Sequence, residues 1–279
     1  MHIVSTPEEM AARAQQLHRD GKTIGFVPTM GFLHAGHASL MRQLRPTVDV
    51  LVSSVYVNPL QFGPSEDLSR YPRSPEADAR VCAAEGVDLL FMPESLYPAG
   101  FATSVSVDGL TEGLCGASRP GHFEGVATVV TRLFGITRCD RAIFGEKDFQ
   151  QLQVIRRVVR DLALPVEVVA GELIRDDDGV ALSSRNAYLS AEERVRARSL
   201  IGALRAMQAA ARGGERRTAV LRTLGARQLD VDRLDYLEIR DADDLQLLDV
   251  IDHPARAFVA AFVGRTRLID NVPVSPEAL

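Results

Sequence analysis

Short apolar runs alternate with helix-spaced apolar positions through the first part of the chain. Residues 23–28 (TIGFVP) and 48–57 (VDVLVSSVYV) are rich in β-branched residues and close on Pro or Asn-Pro, which predicts two buried strands. Between them, residues 35–45 carry apolar side chains at helical spacing. A second helix is predicted from Ser74, a suitable N-cap with Pro75 at the first helical position, to Glu85. Strands at 87–92, 141–144 and 166–170, with helices near 126–136 and 149–162, continue the alternation. Strand and helix in regular turn predict an α/β fold, a Rossmann-like doubly wound parallel sheet with helices on both faces.

After Ile174 the texture changes. Residues 175–179 (RDDDG) form a charged turn, and residues 191–211 read as a long Ala/Arg/Leu helix. Ser190 with Glu193 three residues on is a capping box for that helix. Strands are predicted at 235–240, 258–263 and 265–269, the last two joined tightly at Gly264. The expected organisation is a first domain of residues 1–174 and a smaller α+β domain of residues 175–279. No internal repeat or low-complexity segment interrupts it.

Composition narrows the class of function. The 279 residues are 46% hydrophobic and 25% charged, an ordinary globular balance with ample core material. A formal net charge of −5 provides no electrostatic footprint for nucleic acid or an anionic membrane. No apolar run approaches the roughly 20 residues of a membrane helix, and the first ten residues lack the apolar core of a signal peptide. Cys82, Cys115 and Cys139 are widely spaced and form no C-x-x-C pair, which suits reduced thiols. A cytoplasmic protein is expected.

The strongest chemical signal is Pro28-Thr29-Met30-Gly31-Phe32-Leu33-His34-Ala35-Gly36-His37. A strand ends, a glycine-containing loop follows, and a helix opens with two histidines three apart, on one face. Free N–H groups and the positive end of the helix dipole suit a phosphate chain. Two imidazoles aimed there can donate to phosphate oxygens as charge builds. A bare H-x-x-H is more often a pair of histidines satisfied by neighbours; the strand–loop–helix context favours the phosphate reading. Neither G-x-x-x-x-G-K-[ST] nor G-x-G-x-x-G occurs, which disfavours a P-loop ATPase and a dinucleotide fingerprint.

A second loop-to-helix segment, Phe144-Gly145-Glu146-Lys147-Asp148-Phe149-Gln150-Gln151, also follows a strand. Of 32 basic residues only Lys22 and Lys147 are lysine. A compact ammonium with rotatable donors suits a polyphosphate in motion better than a rigid guanidinium fork. Gln151, one turn beyond, is within reach of the same ligand. In Leu182-Ser183-Ser184-Arg185-Asn186, two hydroxyls beside a guanidinium can clasp phosphate oxygens, although the segment is also good turn chemistry before a helix. Asn58-Pro59-Leu60-Gln61-Phe62-Gly63 offers amides to a crevice, and Ser118-Arg119-Pro120-Gly121-His122-Phe123 offers a cation and an imidazole. Either is more often a structural loop.

Together these segments resemble the pantothenate synthetase (pantoate–β-alanine ligase) family, within the nucleotidylyltransferase-like H-x-G-H group. The motifs run in order from P-T-M-G-x-L-H-x-G-H through V-N-P-x-Q-F-G, Y-P-R, R-P-G-H-F, F-G-E-K-D-x-Q-Q and L-S-S-R-N to R-L-I-D-N at 267–271. The resemblance implies an enzyme that joins pantoate to β-alanine through a pantoyl adenylate, with ATP as substrate, Mg²⁺, and release of AMP and pyrophosphate. It implies that the first domain binds nucleotide and pantoate and the second acts as a lid. Catalysis would fall to His34, His37 and Lys147. Nucleotide contacts would come from Met30, Gly31, Phe32, Leu33, His34, Ala35, Gly36 and His37, from Gly145, Glu146, Lys147 and Asp148, and from Ile174, Leu182, Ser183, Ser184 and Arg185. Met30, Gln61 and Gln151 would hold pantoate. Asp78 would be the metal ligand, in an acidic run that Ala77 interrupts here. A homodimer is implied, with no nucleic-acid or membrane partner.

Three other readings stand beside this one. Another nucleotidylyltransferase of the group would retain the nucleotide on its product. A non-catalytic nucleotide- or RNA-binding module conflicts with the acidic balance and with the presence of both histidines and Lys147. A histidine-based metallohydrolase lacks a third ligand at metal spacing.

Overall fold

The first unit, Met1–Glu146 with Gln151–Glu172, is built on one six-stranded sheet. The computed structural model describes residues 1–64, 66 and 68–275. In chain order the unit's elements are β1 (His2–Val4), α1 (Pro7–Arg19), β2 (Ile24–Thr29), α2 (Ala35–Leu44), β3 (Val50–Val55), α3 (Pro75–Ala84), β4 (Leu89–Phe91), α4 (Leu114–Ser118), α5 (His122–Thr137), β5 (Arg141–Gly145), α6 (Phe149–Asp161) and β6 (Glu167–Gly171). The strand order is β1-β4-β3-β2-β5-β6 and every pairing is parallel, as the alternation predicts.

The order carries the functional consequence. From β2 the chain steps through β3 to β4, then returns to place β5 on the other side of β2. Right-handed crossovers put the connecting helices of the two directions on opposite faces. One core cluster joins Val27, Leu51, Leu90 and Ile143 of the sheet to Met41 and Leu44 of α2 and Cys82 of α3. The reversal between β2 and β5 is a topological switch point, and in open α/β sheets ligands usually bind at the carboxyl ends of the strands there.

The second unit, Lys147–Gln150 with the chain from Leu173 onward, contains α7 (Ala191–Arg212), α8 (Thr218–Ala226) and the strands β7 (Arg233–Asp241), β8 (Ala255–Val263) and β9 (Thr266–Val274). The strands form one antiparallel sheet in sequence order, and β8 turns into β9 through Gly264 and Arg265. Alternate residues Ala257, Val259, Leu268 and Val272 join Leu200, Leu204 and Met207 of α7 in its core. Ser190 and Glu193 form the predicted capping box at the start of α7, at 3.1 and 2.8 Å. Among the described residues no helix is long and apolar enough to cross a membrane.

Several elements escaped the sequence reading. α1 buries only Met10 and Ala14, too narrow a stripe to stand out as a periodic pattern. β1 is three residues long, and α8 is nine residues long and buries only Thr218, Leu221 and Gly225. α5 begins at His122 rather than near 126, because His122 and Phe123 are buried in its first turn.

Candidate active site

The loop that leaves β2 is held by a carboxylate far away in sequence. Gly31 and Phe32 both take left-handed backbone, with φ of 84° and 53°. That fold-back turns the N–H groups of Phe32 and Leu33 toward Asp78 in the first turn of α3, which accepts them at 3.0 Å (Oδ2) and 2.7 Å (Oδ1). Asp78 is 2% exposed. A Cβ on Gly31 would lie 2.9 Å from Asp78 Oδ2 and 3.0 Å from Val55 Cγ1, so glycine is needed for space as well as for its φ. Thr29 Oγ1 accepts from Gly31 N at 3.1 Å and donates to the Ser54 carbonyl at 2.7 Å, tying the loop to β3.

The two histidines cap α2. His34 is the N-cap, and its Nδ1 accepts the N–H of Gly36 at 3.1 Å. His37 Nδ1 accepts the N–H of His34 at 3.3 Å, which completes a capping box made of two imidazoles. The ring centroids lie 4.2 Å apart with planes tilted by 48°. An Nδ1 that accepts a hydrogen bond carries no proton, so each neutral ring is held as the tautomer with its proton on Nε2. Cap and tautomer are therefore one feature: the local helix start fixes which ring nitrogen donates.

The segment after β3 lies against this loop. Pro59–Gln61 is a single 3₁₀ turn capped by Asn58, whose Oδ1 accepts from Leu60 N at 3.3 Å. Gln61 Oε1 accepts from Asn58 Nδ2 at 3.0 Å, and Gln61 Nε2 donates to Met30 Sδ at 2.9 Å. Asn58 Nδ2 also donates to the Gly125 carbonyl, and Tyr97 Oη donates to Asn58 Oδ1 at 2.8 Å. α5 approaches so closely that a Cβ on Gly125 would sit 2.2 Å from the Leu60 carbonyl oxygen.

Arg119 and His122 act on the main chain of this segment. His122 Nδ1–H donates to the Gln61 carbonyl at 2.9 Å, and Arg119 Nη1 donates to His122 Nε2 at 2.9 Å. Arg119 makes a forked pair with Glu66, both bonds 2.7 Å. Burial raises the Glu66 pKa, but the Arg119 guanidinium outweighs it and holds the carboxyl below its ordinary value. The cation and imidazole read in the sequence as possible anion binders thus shape the backbone that carries Gln61. No local spacing signals Tyr97 or Glu66, because their partners lie 39 and 53 residues away in sequence.

Gly145 closes β5 next to β2, and Glu146 follows it in the first unit; Gln151 stands half-buried on the first turns of α6. The structure thus gathers Met30–Gln61, Asp78–Phe32–Leu33 and His34–His37 into hydrogen-bonded groups of the first unit. Met30, Gly31, Ala35 and Gly36 belong to the same loop and helix start. Lys147 and Asp148 cluster with the second unit, as do Ile174, Leu182, Ser183, Ser184 and Arg185.

In the second unit, Leu182 N donates to the Ile174 carbonyl at 3.0 Å and Asp176 N to the Val180 carbonyl at 3.0 Å. This tight hairpin presents Ser183 as the cap of a 3₁₀ turn, where its hydroxyl accepts from Arg185 N at 3.3 Å. Arg175, at the hairpin's base, makes a forked pair with the buried Asp270 at 2.6 and 2.9 Å. Lys147 Nζ lies 3.4 Å from Asp148 Oδ1, with the lysine side chain 20% exposed.

The residues present do not fit a protein-built Mg²⁺ site. Both Asp78 oxygens serve loop amides and the side chain has almost no exposed surface. Among the described residues, no group of three or more His, Cys, Asp or Glu side chains is placed to hold a metal ion.

Comparison with known proteins places these features in a wider set. The family model described as pantoate-beta-alanine ligase matches residues 2–273. Pantothenate synthetase of Moorella thermoacetica is 52% identical over 277 residues, covering 98% of each chain. The crystal structure of pantothenate synthetase from Thermus thermophilus superposes with a TM-score of 0.94 at 48% identity, over 99% of this chain and 100% of that one. The pantoate-beta-alanine ligase of Francisella tularensis, complexed with beta-gamma ATP and beta-alanine, gives a TM-score of 0.80 at 31% identity over 98% and 97% of the two chains.

Proposed function

This chain belongs to the pantoate–β-alanine ligase family and catalyses the ATP-dependent condensation of pantoate with β-alanine; we propose that it does so through a pantoyl adenylate. In the first half-reaction a pantoate carboxylate oxygen bonds to the α-phosphorus of ATP. The bond from that phosphorus to the bridging oxygen breaks, and pyrophosphate leaves. In the second, the neutral amine of β-alanine bonds to the acyl carbon, the bond from acyl carbon to phosphate oxygen breaks, and AMP leaves as the nitrogen gives up a proton. No enzyme nucleophile is required.

The observation that carries this reading is the double-imidazole cap. His34 and His37 both use Nδ1 as acceptors, so both present Nε2–H as the donor. Donors held before the reaction stabilise phosphate charge as it develops without reorganising. The start of α2 adds its dipole to the same task. In this reading Lys147, Ser183, Ser184 and Arg185 hold phosphate oxygens, and Gly31, Phe32, Leu33, Ala35, Gly36, Gly145, Glu146, Asp148, Ile174 and Leu182 line the nucleotide. Met30, Gln61 and Gln151 hold pantoate. The hydrogen bond between Gln61 and Met30 supports the pairing of those two.

Mg²⁺ bound with the triphosphate would supply charge neutralisation. With the Asp78 carboxylate engaged by the loop, no step is assigned to a protein-held ion there. The family resemblance also supports a homodimer, which sedimentation velocity of the full chain tests directly.

The decisive experiment is isotope exchange between pyrophosphate and ATP. The adenylate route requires exchange that depends on pantoate and proceeds without β-alanine. Exchange at the same rate without pantoate rules out a pantoyl adenylate.

A further inference from the structure

The R-L-I-D-N segment has no part in the chemistry described so far, yet two of its side chains are among the most buried polar groups of the second unit. Asp270 is 5% and Asn271 3% exposed, on β9. Successive strand residues point to opposite faces of a sheet. Asp270 faces the α7 side with Leu268 and Val272, where it holds Arg175. Asn271 faces the other side, level with Phe258 in the β8–β9 register.

On that side Asn271 Nδ2 donates to the main-chain carbonyl of Lys147 at 2.9 Å. Its Oδ1 accepts from Arg256 Nη1 at 2.8 Å. The Arg256 guanidinium lies 4.0 Å above the ring of Phe149, and that ring packs against Phe258 with centroids 5.9 Å apart. The short 147–150 segment is therefore fastened to β8 and β9 at both ends, by a hydrogen bond at Lys147 and a stacked cation at Phe149. An amide whose donor and acceptor both have buried partners fixes its own orientation, since a flip would set donor against donor and acceptor against acceptor.

We propose that Asn271 is a positioning residue for Lys147, setting the main chain from which the ammonium reaches phosphate. The inference rests on the phosphate-holding role of Lys147 given above. A long flexible side chain aims well only if its Cα is fixed, and small displacements at a reacting centre are costly. Lys147 itself remains the group that would touch ATP.

Asn271→Asp isolates the bond, because aspartate keeps the acceptor toward Arg256 and replaces the donor toward Lys147 with a second oxygen. The measurement is single-turnover adenylate formation by the full-length chain, in a double-mutant cycle with Lys147→Ala. Expected results are a loss of about 100-fold or more for Lys147→Ala and about 10-fold for Asn271→Asp, with pantoate KM unchanged. Added to Lys147→Ala, Asn271→Asp should cost no further rate. Asn271→Ser, which withdraws from both partners without adding a charge, should show the same non-additivity and covers the case of an aspartate variant that does not fold. If both Asn271 variants slow adenylation by the same factor in either background, or leave a folded enzyme unchanged, the positioning role is wrong and Lys147 keeps its own. If Lys147→Ala is without effect, the role of Lys147 fails and this inference fails with it.

Discussion

Asp78 Oδ1 accepts the N–H of Leu33 at 2.7 Å across 45 residues of chain, and its other oxygen takes the N–H of Phe32. A carboxylate is thereby built into the floor of the loop that leads to His34 and His37. The electrostatics suit the arrangement, since two buried amides need acceptors and a buried carboxylate needs donors.

Asp78→Asn leaves one acceptor and turns an NH₂ toward a main-chain N–H. The expected cost is about 1–3 kcal/mol of folding stability, the scale of an unsatisfied buried group. Adenylation should slow, while the Mg²⁺ concentration giving half-maximal exchange stays where it is. Urea unfolding and a Mg²⁺ titration of the exchange rate read the two effects; a tenfold or larger shift of the Mg²⁺ midpoint would make Asp78 a metal ligand.

Gly125→Ala places a methyl 2.2 Å from the Leu60 carbonyl, so backbone must move. The moving part carries Gln61, and the expected outcome is a raised KM for pantoate with ATP KM little changed. Steady-state kinetics with each substrate varied in turn distinguishes this from general destabilisation, which lowers the active fraction without moving either KM.

His37→Ala removes both an Nε2–H donor and the acceptor for His34 N. Adenylate formation should slow by roughly 10²-fold or more, the scale of one preorganised donor to developing charge. His37→Asn retains an acceptor for the helix start and separates the two roles. Stability recovered without rate assigns the loss to the donor, whereas recovery of both would reduce His37 to a cap.

The Glu66–Arg119 pair gives stability a pH dependence of known sign. Its native pKa lies below the ordinary value, so between the two the unfolded chain binds more protons than the folded one. The contribution is present above the unfolded value and is lost as pH falls through the native one. Stability should therefore decline on acidification below about pH 5, and Glu66→Gln should flatten that slope. Chemical denaturation at a series of pH values measures it; an unchanged slope in the variant would leave the pair without influence on folding.

Much of the fold was legible because its signals are local. β-branched runs ending in Pro or Asn-Pro announced β2 and β3, and Ser190 with Glu193 announced α7. α1 was not legible, since it buries only Met10 and Ala14 over 13 residues, and α8, at nine residues, is too short for periodicity to separate from background. Arg119 and His122 show the same boundary within the site. Their chemistry was readable, but their target, the Gln61 main chain, was not.

The sequence by itself determined the alternation that makes a parallel sheet, the helix start bearing two histidines, and the ordered motifs that identify the family. Tertiary structure alone decided that the Asp78 carboxylate serves a loop and that His122 holds the stretch of chain carrying Gln61. It also decided that Asn271 grips Lys147 from 124 residues away. The physical reason is that periods of 3.6 and 2 residues, caps and turns act over one or two turns of chain. The partner of a buried donor or acceptor is chosen by packing, which is indifferent to separation in sequence and tolerates few unsatisfied groups.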